Sequence, residues 1–183
     1  MLDNVPYCFV KNASVGTYGQ NQAPDDPKEY GGAIAHLVSA IVSRYGEADV
    51  RQWMWRVATE PNTAPGHWAS TPEQYNEMYD WVVAGIWSVL PGAAVGPGNF
   101  CPFYIEDMGC WRTLESVVEP IIDHLASGTN AATGKNNSDL MGSNVAFLAM
   151  SYYASYAVRR PGNEDSGYDP VNGAISAMGL QLL

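Results

Sequence analysis

Residues 51–68 read RQWMWRVATEPNTAPGHW. A carboxylate, Glu60, closes an apolar run and is followed at once by Pro61. Asn62, His67 and Trp68 come soon after, and Thr59 stands just before. A carboxyl group and an imidazole can both move a proton, while an amide and a hydroxyl bind polar ligands. Polar donors beside a flat aromatic face suit a sugar ring, whose hydroxyls take hydrogen bonds while its C–H face packs on the ring. The same mixture recurs at Asn99-Phe100 and at Ser151-Tyr152-Tyr153. No Cys/His spacing resembles a zinc site, and no glycine fingerprint lies between the first strand and the first helix. No metal and no cofactor is therefore expected.

These residues need rigid elements to hold them. VPYCFV (5–10) reads as a strand, short, apolar and aromatic. Asp25, Asp26 and Pro27 open a helix that runs to Tyr45, with apolar groups at Tyr30, Ile34, Leu37, Val38 and Ile41, and Gly46 as its stop. Residues 50–59 read as a strand with Trp53, Trp55 and Val57 on one face, and Met54, Arg56 and Ala58 on the other with Glu60. Thr71-Pro72-Glu73 opens a second helix ending at Pro91-Gly92, and a short strand follows at 93–100. Residues 113–125 read as a helix kinked at Pro120, and 144–153 as another strand. A final helical stretch is expected in VNGAISAMGLQLL. Strands alternating with helices imply an α/β fold: a parallel sheet in which residues 5–10, 50–59, 93–98 and 145–152 are neighbours, with helices outside. In such folds function gathers at the C-terminal ends of strands, where Glu60 lies.

With 183 residues, 46% hydrophobic and 15% charged, the chain reads as a single globular domain over 1–183. Its net charge of −10, with no Lys/Arg cluster, argues against nucleic-acid binding. No apolar run approaches the roughly 20 residues of a membrane span. The opening MLDNVPYCFV lacks the basic and long apolar regions of a signal peptide. Cys101 and Cys110 are close enough in sequence to pair in an extracellular protein, with Cys8 buried; three reduced thiols are the alternative.

The run DDPKEYGGAIAHLVSAIVSRYGEADVRQWMWRVATEPN, then Trp68, then TPEQYNEMYDWVVAGIWSVLPGAAVGPGN, resembles glycoside hydrolase family 39 and related retaining (β/α)8-barrel glycosidases. The shared features are a helix ending in RYG, a strand reading VRxW, a carboxylate-proline-asparagine at the strand's end and a tryptophan shortly after. The likeness covers about residues 25–100, and SYY at 151–153 fits the end of the sixth barrel strand more loosely. It implies a partial TIM-type barrel, about strands three to six with their helices. It also implies a retaining double displacement with Glu60 as general acid/base. Thr59, Asn62, His67, Trp68, Asn99, Tyr152 and Tyr153 would face an oligo- or polysaccharide, outside the cell or at its surface. Two departures stand out. Thr59 replaces the asparagine usual before the glutamate, and the nucleophile, supplied in the family by the seventh strand, is not found in this chain. Further chain segments or self-association would then complete the barrel. The alternative is a non-catalytic carbohydrate-binding or structural protein derived from such a barrel.

Overall fold

The structure, a computed structural model, describes residues 2–16, 19–63, 66–101, 114–140 and 145–151. Its elements are a 3-10 turn (Tyr7–Phe9), a small hairpin of β1 (Val15–Gly16) and β2 (Gly19–Gln20), α1 (Pro27–Tyr45), α2 (Glu47–Val50), β3 (Met54–Thr59), α3 (Pro72–Val89) and β4 (Ala94–Asn99). A π-helical turn (Leu114–Val118) then leads into α4 (Glu119–Ser127), and a 3-10 turn (Asn137–Leu140) follows.

β3 and β4 pair in parallel, with Met54 opposite Ala94 and Thr59 opposite Asn99. Parallel bridges continue the sheet on both sides, from Leu2 to Val57 and from Phe100 to Met150. The expected parallel pairing holds for β3 and β4, while 145–152, expected as a strand, contributes only the single bridge at Met150 among its described residues. The first strand does not hold its expected position. Residues 5–10 turn at Pro6, whose fixed φ of −62° starts the 3-10 turn, and the pairing falls to Leu2 instead. Residues 50–53 also leave the strand, because Val50 closes α2 and Trp53 turns outward, 40% exposed.

Local signals set the helices. Asp26 caps α1 through its side chain to the Glu29 N–H, Pro27 fills the first turn, and Gly46 ends the helix at φ +87°. Thr71 and Gln74 form a reciprocal capping box at the start of α3. The expected helix is irregular near Pro120: the π-helical turn runs without a break, through helical Val118, into α4, whose first turn holds Pro120 and its missing N–H. α1 and α3 touch through glycines: a Cβ on Gly31 would lie 2.5 Å from Trp81 O, and one on Gly85 would lie 2.2 Å from Gly31 O. That contact brings both helices down onto the strands. Ile34, Val38, Tyr79, Val82 and Ile86 close over Trp55, Val57 and Val95 to make the core. Asp80, on the same helix, accepts the Ala131 N–H at 2.7 Å and meets His124 Nε2 at 3.0 Å, tying α3 to α4 and its following loop. The polar stretch after α4 is ordered by buried Asn130 and Asn137, joined side chain to side chain.

Among the described residues, three tyrosines are buried in this core: Tyr30, Tyr75 and Tyr79. Burial pushes the Tyr30 hydroxyl up to about 12 and holds those of Tyr75 and Tyr79 well above their ordinary value. The unfolded chain begins losing these protons near pH 10 while the fold retains them, so stability is full below pH 10 and falls as pH rises above it. For Tyr30, the loss accumulates from pH 10 to about 12 and amounts to roughly 2–3 kcal/mol. Tyrosinate absorbance should therefore rise cooperatively with loss of ellipticity in an alkaline titration. Gradual ionisation of these groups in an intact fold would contradict it.

Candidate active site

The end of β3 is irregular where it matters. Ala58 and Glu60 both have positive φ, 66° and 45°, which is uncommon for residues with a Cβ. Just before them Val57 stands opposite Pro97, which has no N–H to give, and the next amide, that of Gly98, does not close the rung directly. The Tyr75 hydroxyl enters the gap: it accepts the Gly98 N–H at 2.9 Å and donates to the Val57 carbonyl at 3.0 Å. Gly98 has no room for a side chain, because a Cβ would meet Ala58 O at 2.9 Å. The Glu60 N–H then returns to the sheet through the Asn99 carbonyl at 2.9 Å, and the Glu60 carbonyl takes the Thr63 N–H at 2.8 Å. Glu60 is thus fixed at both backbone groups.

Asn62 fixes the loop. Fully buried, its carboxamide donates to the Cys101 carbonyl at 3.0 Å and accepts the Cys101 N–H at 2.9 Å. The chain after β3 is thereby tied to the chain after β4. Asn62 is a brace beneath the site, not a group held open to substrate. Asn62→Ala should cost about 1–3 kcal/mol, since two buried hydrogen bonds to the Cys101 backbone are lost at about 0.5–1.5 kcal/mol each. A chemical denaturation midpoint indistinguishable from wild type would refute it.

Glu60 is buried, its side chain 4% exposed. Oε1 accepts from Ser151 Oγ at 2.5 Å, and that hydroxyl in turn accepts from Asn99 Nδ2. Oε2 faces His67 Nδ1 at 3.2 Å, close enough for an ion pair but without the alignment of a hydrogen bond. Arg56 Nη2 donates to Thr59 Oγ1 at 3.0 Å. The structure therefore gathers Glu60, Thr59, His67 and Asn99 at the strand ends and adds Ser151, which the sequence placed near the rim without a task. Its signal was there, a hydroxyl before two tyrosines, but only three-dimensional pairing shows which carboxylate it meets.

Trp68 departs from its expected role. It is 3% exposed and packs edge-on against Tyr75, with centroids 5.5 Å apart at 85°, so its face is core and not an open sugar platform. Tyr152, Tyr153 and Cys110 lie outside the described residues. Cys101 is buried, while Cys8, expected inside, is exposed with a free thiol. Among the described residues no cluster of His, Cys, Asp and Glu could hold a metal ion, and no helix is long and apolar enough to cross a membrane.

Parallel strands with helical crossovers, a carboxylate at a strand's C-terminal end and a polar surround define a partial (β/α)-barrel of the kind found in glycosidases. The family model for Glycosyl hydrolases family 39 matches residues 5–142, and the chain belongs to that family. A β-xylosidase of Caldicellulosiruptor saccharolyticus is 35% identical over 100 residues, covering 54% of this chain and 20% of that protein. An α-1,4-L-rhamnosidase of Formosa agariphila is 29% identical over 105 residues, covering 52% and 21%. The chain thus spans about a fifth of the length of these curated relatives. Among solved structures, a family 39 β-xylosidase from Caulobacter crescentus superposes with a TM-score of 0.59 at 22% identity, covering 86% of this chain and 30% of that one. A bacterial orthologue of human α-L-iduronidase superposes with a TM-score of 0.61 at 18% identity, covering 83% and 22%. These likenesses bear out the barrel-type fold.

Proposed function

We propose that this chain supplies the acid/base half of a retaining glycosidase site. The observation that carries the reading is Glu60: a carboxylate held by its own backbone at the C-terminal end of a parallel strand, with a hydroxyl and an imidazole against its two oxygens. In the first step Glu60 gives its proton to the departing glycosidic oxygen as that bond breaks. In the second it takes a proton from the water that attacks the glycosyl–enzyme bond. Ser151 and His67 keep the carboxylate oriented between the two steps. The mechanism needs a second carboxylate as nucleophile, about 5–5.5 Å away. That residue comes from the remainder of the barrel, in further chain or a second copy. β-Xylosides and α-L-rhamnosides are the substrates to try first, after the relatives' names. A secreted or cell-surface setting, where polysaccharides are met, fits this reading.

One observation favours a second reading, a non-catalytic carbohydrate-binding or structural protein. Glu60 is nearly closed off, with both oxygens engaged. The two readings part on turnover. The complete polypeptide is incubated with aryl β-xylosides and α-L-rhamnosides, and the anomer of the first-formed sugar is read by proton NMR. Release with retained configuration is expected. Inverted product sinks the double displacement, and oligosaccharide binding without release puts the second reading in front.

A further inference from the structure

A small recess opens beside the Glu60 strand end, lined by Asp3, Gln20, Thr59, His67 and Trp68 among others. It has room for about one water-sized group, too little for a sugar ring but enough for one hydroxyl. Three separate segments build it: the chain after the Leu2 bridge, the β1–β2 hairpin and the loop after β3. That hairpin is tied down on the loop, since Ala69 N–H donates to the Asn21 carbonyl at 2.8 Å and Ala23 N–H to Ser70 Oγ at 2.8 Å. Gln20 is buried and held by its carboxamide to the Val5 carbonyl at 3.1 Å. The walls are therefore braced without any ligand.

Apart from His67, whose Nδ1 faces Glu60 Oε2, two of the lining residues carry a buried polar atom that meets no hydrogen-bond partner: the acceptor Asp3 Oδ1 and the donor Trp68 Nε1. The Trp68 side chain belongs to a residue 97% removed from solvent by its 3% exposure, so its N–H has nowhere else to turn. Leaving a buried donor and a buried acceptor unmet is unfavourable, and one hydroxyl can answer both, donating to the carboxylate and accepting from the indole.

Resting on the glycosidase reading above, we infer that this recess is a hydroxyl notch: it takes a single hydroxyl of the sugar bound beside Glu60 and selects for sugars that carry it. Asp3 accepts from that hydroxyl and Trp68 donates to it. A sugar with hydrogen at that carbon leaves both groups unmet, and such sites discriminate more sharply than an apolar pocket sensing one methylene.

The test compares an aryl glycoside that the complete wild-type polypeptide cleaves with its monodeoxy analogues, one hydroxyl removed at a time. The same series is run on Trp68→Phe and on Asp3→Ala, each first checked by thermal melting. One deoxy analogue should lose at least about tenfold in kcat/KM with wild type. In both variants that penalty should shrink to within about threefold while the other positions keep theirs. Folded variants with every ratio unchanged overturn the notch and leave it to ordered water, with the glycosidase reading intact. If both variants fail to fold, the two groups serve the fold and the notch is likewise overturned. No cleavage or binding of any glycoside by wild type brings down the glycosidase reading and this inference with it.

Discussion

Glu60→Gln should cut turnover of natural oligosaccharides by roughly 10²–10⁴-fold, the usual worth of a positioned acid/base. An amide cannot give up a proton to the departing oxygen, so the loss is greatest for poor leaving groups. Aryl glycosides with acidic phenols leave as anions and should be less affected in the first step. For these the second step becomes limiting, since water must attack unassisted. Azide should then restore turnover and leave a glycosyl azide as product, because a small anion needs no base. The fold should tolerate the change. Gln has the shape of Glu, and the Ser151 hydroxyl that donates to Oε1 can turn to accept from an amide instead. A melting temperature within a few degrees of wild type, together with the kinetic split between leaving groups, would place Glu60 in the proton transfers. Full turnover of an oligosaccharide by Glu60→Gln would remove it from them.

The strand end that carries Glu60 was legible in the sequence to different depths. The two long helices could be read closely because their signals are local: Asp26-Pro27 and Thr71-Pro72 at the starts, Gly46 at one stop, and apolar spacing between. The order of strands followed from alternation alone. The first strand misled because an apolar aromatic run resembles a strand whether it pairs or turns, and Pro6 decides for the turn. Glu60 stood out because a strand ended on a carboxylate followed by proline. Its partners did not, because Ser151 is 91 residues away and its contact depends on Phe100 pairing with Met150. Trp68 was misread for a related reason. Loop tryptophans suit sugar faces in general, but the edge-on contact with Tyr75 buries this one, and only packing reveals that. The role of Tyr75 was hidden in the same way. Helical periodicity marks it as core and says nothing about its hydroxyl.

Tyr75→Phe isolates that hydroxyl. The ring would keep its place, stacked near Tyr79 at 6.3 Å and edge-on to Trp68, so the change removes one oxygen and little packing. What it strands is the Gly98 N–H and the Val57 carbonyl, both buried and both satisfied by that oxygen. Each such group costs about 1–3 kcal/mol when left unmet, so the variant should lose roughly 2–6 kcal/mol. In a domain of this size that lowers the melting temperature by about 5–20 °C. The strands cannot close the gap without moving Ala58, whose φ of +66° widens the rung, or Gly98, which already lies against Ala58 and Pro61. The damage should also reach catalysis. Gly98 precedes Asn99, whose carbonyl holds the Glu60 N–H and whose side chain holds Ser151. In an active barrel kcat should therefore fall more than KM rises, because the carboxylate loses its aim before the sugar loses its contacts. Hydrogen exchange at the Gly98 amide separates the outcomes: rapid exchange with a lowered melting temperature supports the inserted hydroxyl, whereas unchanged protection at wild-type stability means the strands bond directly once it is gone.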